Sequence, residues 1–193
     1  MKDKPKLKDL IELAEKIKDK DLREKTIELL KDPKLSNNWE YKATNIERVP
    51  AWIGAHHDYA GGLIEHTLSV TELSIMAANY LKERYDKKIN MDFVIAGALL
   101  HDIGKLFEMR EENNEFKFNE FLIDHIRLGG SELYARGFPE EVVHIVFAHA
   151  GGDVPRTIEA KIVDIMDNLD STVESFGKET HSLIYLLGDS LNV

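Results

Sequence analysis

Residues Phe93-Val94-Ile95-Ala96-Gly97-Ala98-Leu99-Leu100 are apolar at every position, and His101 and Asp102 follow without a spacer. A helix built from that run has no polar face to offer to water. With Asn90 placed as its N-cap, the run predicts a helix enclosed by other elements. The chain must therefore build a core around it, and 193 residues suffice for one domain that does so. The run also delivers an imidazole and a carboxylate to the end of a buried helix. A charge there must be solvated at an exposed end, paired, or bound to a metal. For an isolated His-Asp pair, the exposed end and the metal are about equally good readings.

The surrounding pattern is mostly helical. Leu7, Leu10, Ile11, Ala14 and Ile17 form one stripe at helical spacing, and a second short helix is expected from Asp21 to Leu30, with Pro33 beyond its end. These two helices, within residues 1–34, read as an appendage to a main domain over 35–176. The segment from about Leu35 to Gly62 reads as a long ordered loop. A helix is expected from Leu63 to Tyr85, and Gly104 is expected to end the apolar helix as a C-terminal glycine. Leu106 to Phe118 reads as a β-hairpin turning near Asn113-Asn114, with Phe116 and Phe118 alternating with polar residues. Helices follow at about 122–136, 139–150 and 156–175; Pro139 with Glu140 and Glu141 gives the middle one a typical start. The tail, 177–193, is expected to add a last short helix. The fold class is all-α, a helical bundle with one small hairpin.

Composition removes several kinds of chemistry. There is no cysteine, so disulfides, thiolate nucleophiles and thiolate zinc sites are out, and a metal can be held only by imidazole nitrogen and carboxylate oxygen. The formal net charge of −10 suits the chain poorly to tracking a nucleic-acid backbone, although a local basic pocket is compatible with it. No apolar stretch approaches bilayer length, and no apolar signal core follows the charged start Met1-Lys2-Asp3-Lys4. A cytoplasmic location and no membrane partner are the expectations.

Several polar residues sit where apolar ones are expected. His66 lies early in an otherwise apolar helix. Asp167 follows Ala160 by seven residues and Val163 by four, which places it on their helix face. His149 ends the run Val142-Val143-His144-Ile145-Val146-Phe147-Ala148, just before Gly151-Gly152. Each alone reads equally well as a hydrogen-bonded or solvated residue; together with His101-Asp102 they point to a metal site. Lys105, three residues after Asp102, is placed to face the same cleft.

The order His66, His101-Asp102, Asp167 resembles the HD superfamily of metal-dependent phosphohydrolases, and HDIGK is a near-consensus form of its central motif. The blocks HHDYAGGLIEHTLSV, HDIGK, DHIRLGG, HIVFAHAGG and EAKIVDIMDNLD are similar to the HD domain of YhaM-type 3′-5′ exoribonucleases over roughly residues 20–172. The resemblance implies an HD bundle whose catalytic metal is held by His66, His101, Asp102 and Asp167. It further implies two ions in some members, with Asp102 between them and His125 and His149 on the second. One or two divalent transition-metal ions follow, with Fe²⁺ or Mn²⁺ first and Ni²⁺, Co²⁺ or Zn²⁺ also suited to such ligands. The implied reaction is attack by metal-generated hydroxide on a phosphate ester, with Lys105 stabilising the phosphate.

Secondary candidates for substrate contact are Arg127, which could grip a phosphate, and His56 and His57, at a place where YhaM-type sequences also carry a His pair. Arg156 is a further candidate. His144 is read as structural, and His181 receives no role. Two helices stand here where YhaM-type enzymes carry an OB domain, and Ala150 stands where relatives often have a second His. These differences favour a small phosphorylated substrate, a nucleotide or cyclic phosphate, over long nucleic acid. Stand-alone archaeal HD phosphodiesterases acting on a cyclic phosphate have about this size. The competing readings are an exoribonuclease, a nucleotidase or dNTP phosphohydrolase, a diiron oxygenase on the same ligands, and a nucleotide-binding module without turnover. A homo-oligomer is compatible with all of them.

Overall fold

A computed structural model of the chain describes residues 4–37, 39–120 and 122–177. The tail helix expected beyond Gly177, and His181 with it, lie outside the described residues. Eight helices and one hairpin are present among those described, in the order α1 (Leu7–Ala14), α2 (Lys20–Lys31), α3 (Gly62–Tyr85), α4 (Met91–Leu100), α5 (Lys105–Glu108), β1 (Met109–Glu112), β2 (Glu115–Phe118), α6 (His125–Ala135), α7 (Glu140–Ala148) and α8 (Ile158–Ser175). The all-α architecture with a single hairpin is the one the sequence predicts.

The apolar run is the centre of the bundle. Val94 to Leu100 are all buried, and α4 packs against α1, α2, α3, α7 and α8. Its start is fixed by polar contacts from both sides. The Asn90 side chain accepts from Asp92 N at 3.0 Å, and Asn90 N donates to Glu159 Oε1 of α8 at 2.8 Å. The Asp92 carboxylate accepts from Lys18 N and Asp19 N in the α1–α2 turn, at 3.0 and 2.9 Å. Through such contacts the enclosing helices fix both the position and the rotation of α4, and so the direction in which His101 and Asp102 leave it.

The N-terminal helices are part of this core. Leu10, Leu13, Ala14, Leu22, Leu29 and Leu30 are buried in one cluster with Leu63, Ile64, Ile95 and Leu99. The apolar stripe outlasts its helix: α1 ends at Ala14, yet Ile17 stays buried in the following turn, with its N–H bonded to Ala14 O at 3.0 Å. The long loop is ordered by its own backbone pairings. Thr44 N donates to Leu106 O at 2.7 Å, Gly61 N to Arg48 O at 2.9 Å and Leu63 N to Val49 O at 3.0 Å.

Two local expectations are corrected. The hairpin starts at Met109 rather than Leu106. Residues 105–108 instead form a helical turn, in which Lys105 N, Leu106 N and Phe107 N bond to the carbonyls of Asp102, Ile103 and Gly104. Leu106 and Phe107 are adjacent and both buried, unlike the alternation expected of a hairpin strand with one face in solvent. The hairpin turn itself is as read, with Asn113 and Asn114 both at positive φ (54° and 63°), as a two-residue type I′ turn requires. Gly104 is the second correction. It has right-handed φ and ψ of −63° and −27°, so it is not a left-handed helix cap. A Cβ at Gly104 would lie 2.1 Å from His125 O, so glycine is required there because α6 begins against it.

Candidate metal centre

Six side chains converge where α4 ends. His66 lies one turn into α3, His101 and Asp102 follow α4, His125 opens α6, His149 follows α7, and Asp167 lies within α8. None is more than 7% exposed. Two buried carboxylates and four buried imidazoles gathered in one place are costly unless they are paired or bind a metal.

The donor atoms fall into two groups, one on each oxygen of Asp102. On the Oδ2 side, His66 Nε2 lies at 3.5 Å and His101 Nε2 at 3.4 Å. Asp167 Oδ1 completes that group, 3.1 Å from His66 Nε2 and 3.9 Å from His101 Nε2, and the two Nε2 atoms are 3.2 Å apart. On the Oδ1 side, His125 Nε2 lies at 3.5 Å and His149 Nε2 at 3.4 Å. Ligands about 2.1 Å from one ion and about 90–110° apart are about 3.0–3.4 Å from one another, so these separations suit donors around a cation. Asp102 Oδ1 and His149 Nε2 are buried with no hydrogen-bond partner, while Asp102 Oδ2 forms an ion pair with Lys105 Nζ at 2.6 Å. Unpartnered buried polar atoms are costly, and metal ions would satisfy these. His66, His101, Asp167 and Asp102 can thus hold one ion, and Asp102, His125 and His149 a second.

Contacts behind the imidazoles fix which nitrogen faces the centre. His101 Nδ1 lies 2.7 Å from Ala98 O and His149 Nδ1 2.6 Å from Val146 O. A carbonyl only accepts, so in both rings Nδ1 carries the hydrogen and Nε2 is left as the ligating atom. His66 Nδ1 lies 2.7 Å from Asp170 Oδ2. His125 Nδ1 lies 3.1 Å from Glu108 Oε2, out of line for a hydrogen bond, and neither atom has another partner. A small rotation of either side chain completes that pair.

The field of the site follows from these contacts. Burial opposes a charge on His66, but hydrogen bonds to Asp167 and Asp170 and the nearby Asp102 raise its pKa to about 9. Burial likewise pushes the Asp102 carboxyl up, but Lys105 and His101 hold it well below the usual carboxylate range. Asp167 is held low against burial by His66 and His101. His149 is lowered by burial, with Asp102 opposing. The carboxylates are therefore ionised and ready to ligate.

The cleft above the centre has a volume of about 430 Å³ and is lined by Trp52, His56, Lys105 and residues of α6 and α8. Lys105 is 4% exposed, with Nζ 2.6 Å from Asp102 Oδ2 and 5.4 Å from the Trp52 ring centroid. His56 lies with its ring centroid 4.8 Å from that of His66, and burial, with His66 and Lys105 nearby, lowers its pKa to about 3. His57 is buried behind it: its N–H donates to Glu174 Oε2 at 2.7 Å, and Nε2 is 3.6 Å from Asp170 Oδ2. The loop carrying both histidines lies on the start of α3 because Gly62 is there, where a Cβ would be 1.9 Å from His57 O.

Not every candidate reaches the cleft. Arg127 is exposed and pairs with Asp124, the N-cap of α6. Arg156 is exposed, and its N–H donates to His144 Nε2 at 2.9 Å, a structural use of His144. Asp170 and Glu108 were missed from sequence. Asp170 carried a faint signal, lying three residues after Asp167 and so on a nearby helix face. Glu108 carried none, because its approach to His125 depends on the packing of α5 against α6.

The family model that matches the chain is the HD domain, over residues 63–172. The chain belongs to the HD domain family. It is 46% identical over 170 residues to the dihydroneopterin 2′,3′-cyclic phosphate phosphodiesterase of Methanocaldococcus jannaschii, a match covering 85% of this chain and 68% of that one. It is also 27% identical over 191 residues to the 3′-5′ exoribonuclease YhaM of a Geobacillus species, and 29% identical over 146 residues to YhaM of Oceanobacillus iheyensis. It spans 57% and 44% of the lengths of those two proteins. No solved structure gives a significant match. No helix among the described residues is long and apolar enough to cross a membrane. Asp102 lies at the point where the two donor groups meet.

Proposed function

We propose that this protein is a metal-dependent phosphodiesterase that hydrolyses a small cyclic phosphate. The observation that carries the reading is Asp102, buried and ionised, with one oxygen turned to His66, His101 and Asp167 and the other to His125 and His149. Divalent ions bound there, Fe²⁺ or Mn²⁺ first and Co²⁺, Ni²⁺ or Zn²⁺ next, would lower the pKa of bound water and draw negative charge from a phosphate.

The side chains supply the rest. Asp102 and Asp167 hold negative charge at the floor of the cleft, and the contacts behind the four imidazoles keep Nε2 aimed inward. Lys105 brings a buried ammonium to the edge of the cleft, where it stabilises charge developing on phosphate oxygens. His56, kept neutral, offers its ring to a substrate oxygen. His57 and Asp170 brace His56 and His66 from behind. Arg127 reaches a phosphate only by leaving Asp124, so we assign it a secondary role.

The small-substrate reading draws on the cleft, whose volume lies in the range of small-molecule sites. It draws too on the formal net charge of −10, which repels a long polyanion. The similarity to the Methanocaldococcus phosphodiesterase favours a cyclic phosphate, and the weaker similarity to YhaM makes an exoribonuclease the second reading. The test is an anaerobic screen of the metal-reconstituted protein over 2′,3′-cyclic phosphates, linear diesters, nucleotides and single-stranded RNA. Opening of cyclic phosphates faster than loss of RNA supports the proposal. Stepwise RNA degradation with cyclic phosphates untouched overturns it in favour of the exoribonuclease.

A further inference from the structure

Trp52 is a large aromatic residue that packing does not enclose. It lies in the 35–61 loop, half-buried, and lines the cleft over the candidate metal centre. Its neighbours hold its orientation without covering it. Phe118, itself 41% exposed, lies with ring centroids 5.3 Å apart at a tilt of 55°. His125 meets it edge-on at 5.8 Å, and Lys105 Nζ lies 5.4 Å from its ring centroid. The indole N–H has no hydrogen-bond partner among the described residues. The ring is thus held between a candidate metal ligand and the cleft's ammonium, and it lines the space above the centre.

The same cleft is lined from α8 by Asn168, next to the candidate ligand Asp167. Its carboxamide also lacks a hydrogen-bond partner among the described residues. A free carboxamide offers both a donor and an acceptor, the pattern that reads the edge of a nitrogen heterocycle. Aromatic faces bind such rings with little preference for their identity, and the edge contact adds the preference.

We propose that Trp52 is the stacking platform for a planar nitrogen heterocycle carried by the substrate, and that Asn168 contacts the edge of that ring. The substrate class is then a heterocycle-bearing cyclic phosphate rather than a simple alkyl one. This rests on the phosphodiesterase reading above, and the tests separate the two.

The first test compares kcat/KM for guanosine 2′,3′-cyclic phosphate and glycerol 1,2-cyclic phosphate. The ring-bearing substrate is preferred by the wild type. Trp52→Leu reduces that preference about 5- to 100-fold, mainly through KM, while Trp52→Phe keeps most of it. An equal loss on both substrates in Trp52→Leu means that the ring only supports the fold, and overturns the proposal. The second test does not depend on turnover. The chain has two tryptophans, Trp39 and Trp52, and Trp39 lies against a different cavity. In a metal-loaded Trp39→Phe protein, guanosine 2′-monophosphate quenches the remaining indole emission and inorganic phosphate does not. Emission that guanosine 2′-monophosphate leaves unchanged overturns the proposal, even where Trp52→Leu fails to fold. Quenching in a protein that hydrolyses neither cyclic phosphate upholds the stacking platform and rejects the phosphodiesterase reading.

Discussion

Gly104→Ala tests whether the start of α6 must lie against the end of the central helix. The new Cβ would be 2.1 Å from His125 O, 2.8 Å from His125 C and 2.9 Å from His125 Cα. Ordinary contact begins at 3.4 Å, so the two backbones must part by about 1.3 Å. The clash is with backbone, which cannot swing aside as a side-chain tip can. The carbonyl belongs to His125 itself, so relief carries that imidazole away from Asp102 Oδ1, now 3.5 Å from its Nε2. Overpacking of this kind costs about 1–3 kcal/mol. In a domain of this size, about 2–4 °C of Tm is lost per kcal/mol, giving a fall of about 2–12 °C. A misplacement of about 1 Å lowers turnover about 100-fold. The assay combines thermal unfolding, elemental analysis and turnover on one preparation. The expected variant is folded, slightly less stable and short of one ion, having lost that on the His125–His149 side. Gly104→Ala with wild-type Tm, metal content and turnover would refute the argument.

The remaining expectations concern the ligands and their supports. Lys105→Ala lowers kcat about 10²–10³-fold with metal content unchanged in elemental analysis, because its ammonium acts on substrate charge rather than on the ions. Asp170→Ala weakens metal binding about 10–100-fold in a chelator competition, since it releases His66 Nδ1, and Asp170→Asn loses less because its amide oxygen still accepts. His66, with a pKa of about 9 against an ordinary 6.5, keeps its proton at neutral pH in the metal-free protein and must lose it to bind an ion. Metal loading near pH 7.5 therefore releases a proton, seen in calorimetry as a heat that depends on the buffer, and affinity rises with pH toward about 9. In the metal-free protein the same raised pKa contributes stability in full below about 6.5, and this is lost as pH rises through about 9; a Tm that does not fall over that window would contradict it.

The sequence was most informative where one physical rule dominated. The run 93–100 could only be an enclosed helix, and Asn113-Asn114 between short alternating segments could only be a tight turn. Once the helices were placed, His66, His101, Asp102, His149 and Asp167 stood out as polar groups on buried faces, and His125 followed from family resemblance. What depended on contacts between distant segments did not show. Leu106 to Glu108 were read as the start of a strand because the burial of both Leu106 and Phe107 is decided by packing. Gly104 was read as a helix cap because its contact with His125 O joins residues 21 apart in sequence. Glu108 and Asp170 are ordinary acidic residues until α5 and α8 bring them behind His125 and His66.

The central claim is that Asp102 divides a two-ion centre. Anomalous diffraction from crystals of the reconstituted protein, recorded at the absorption edge of the loaded metal, tests it directly. The account predicts two peaks about 3.5–4 Å apart, one on the His66–His101–Asp167 side of Asp102 and one on the His125–His149 side. A single peak beside His66, His101 and Asp167 at full metal loading, with His125 and His149 bare, would contradict it.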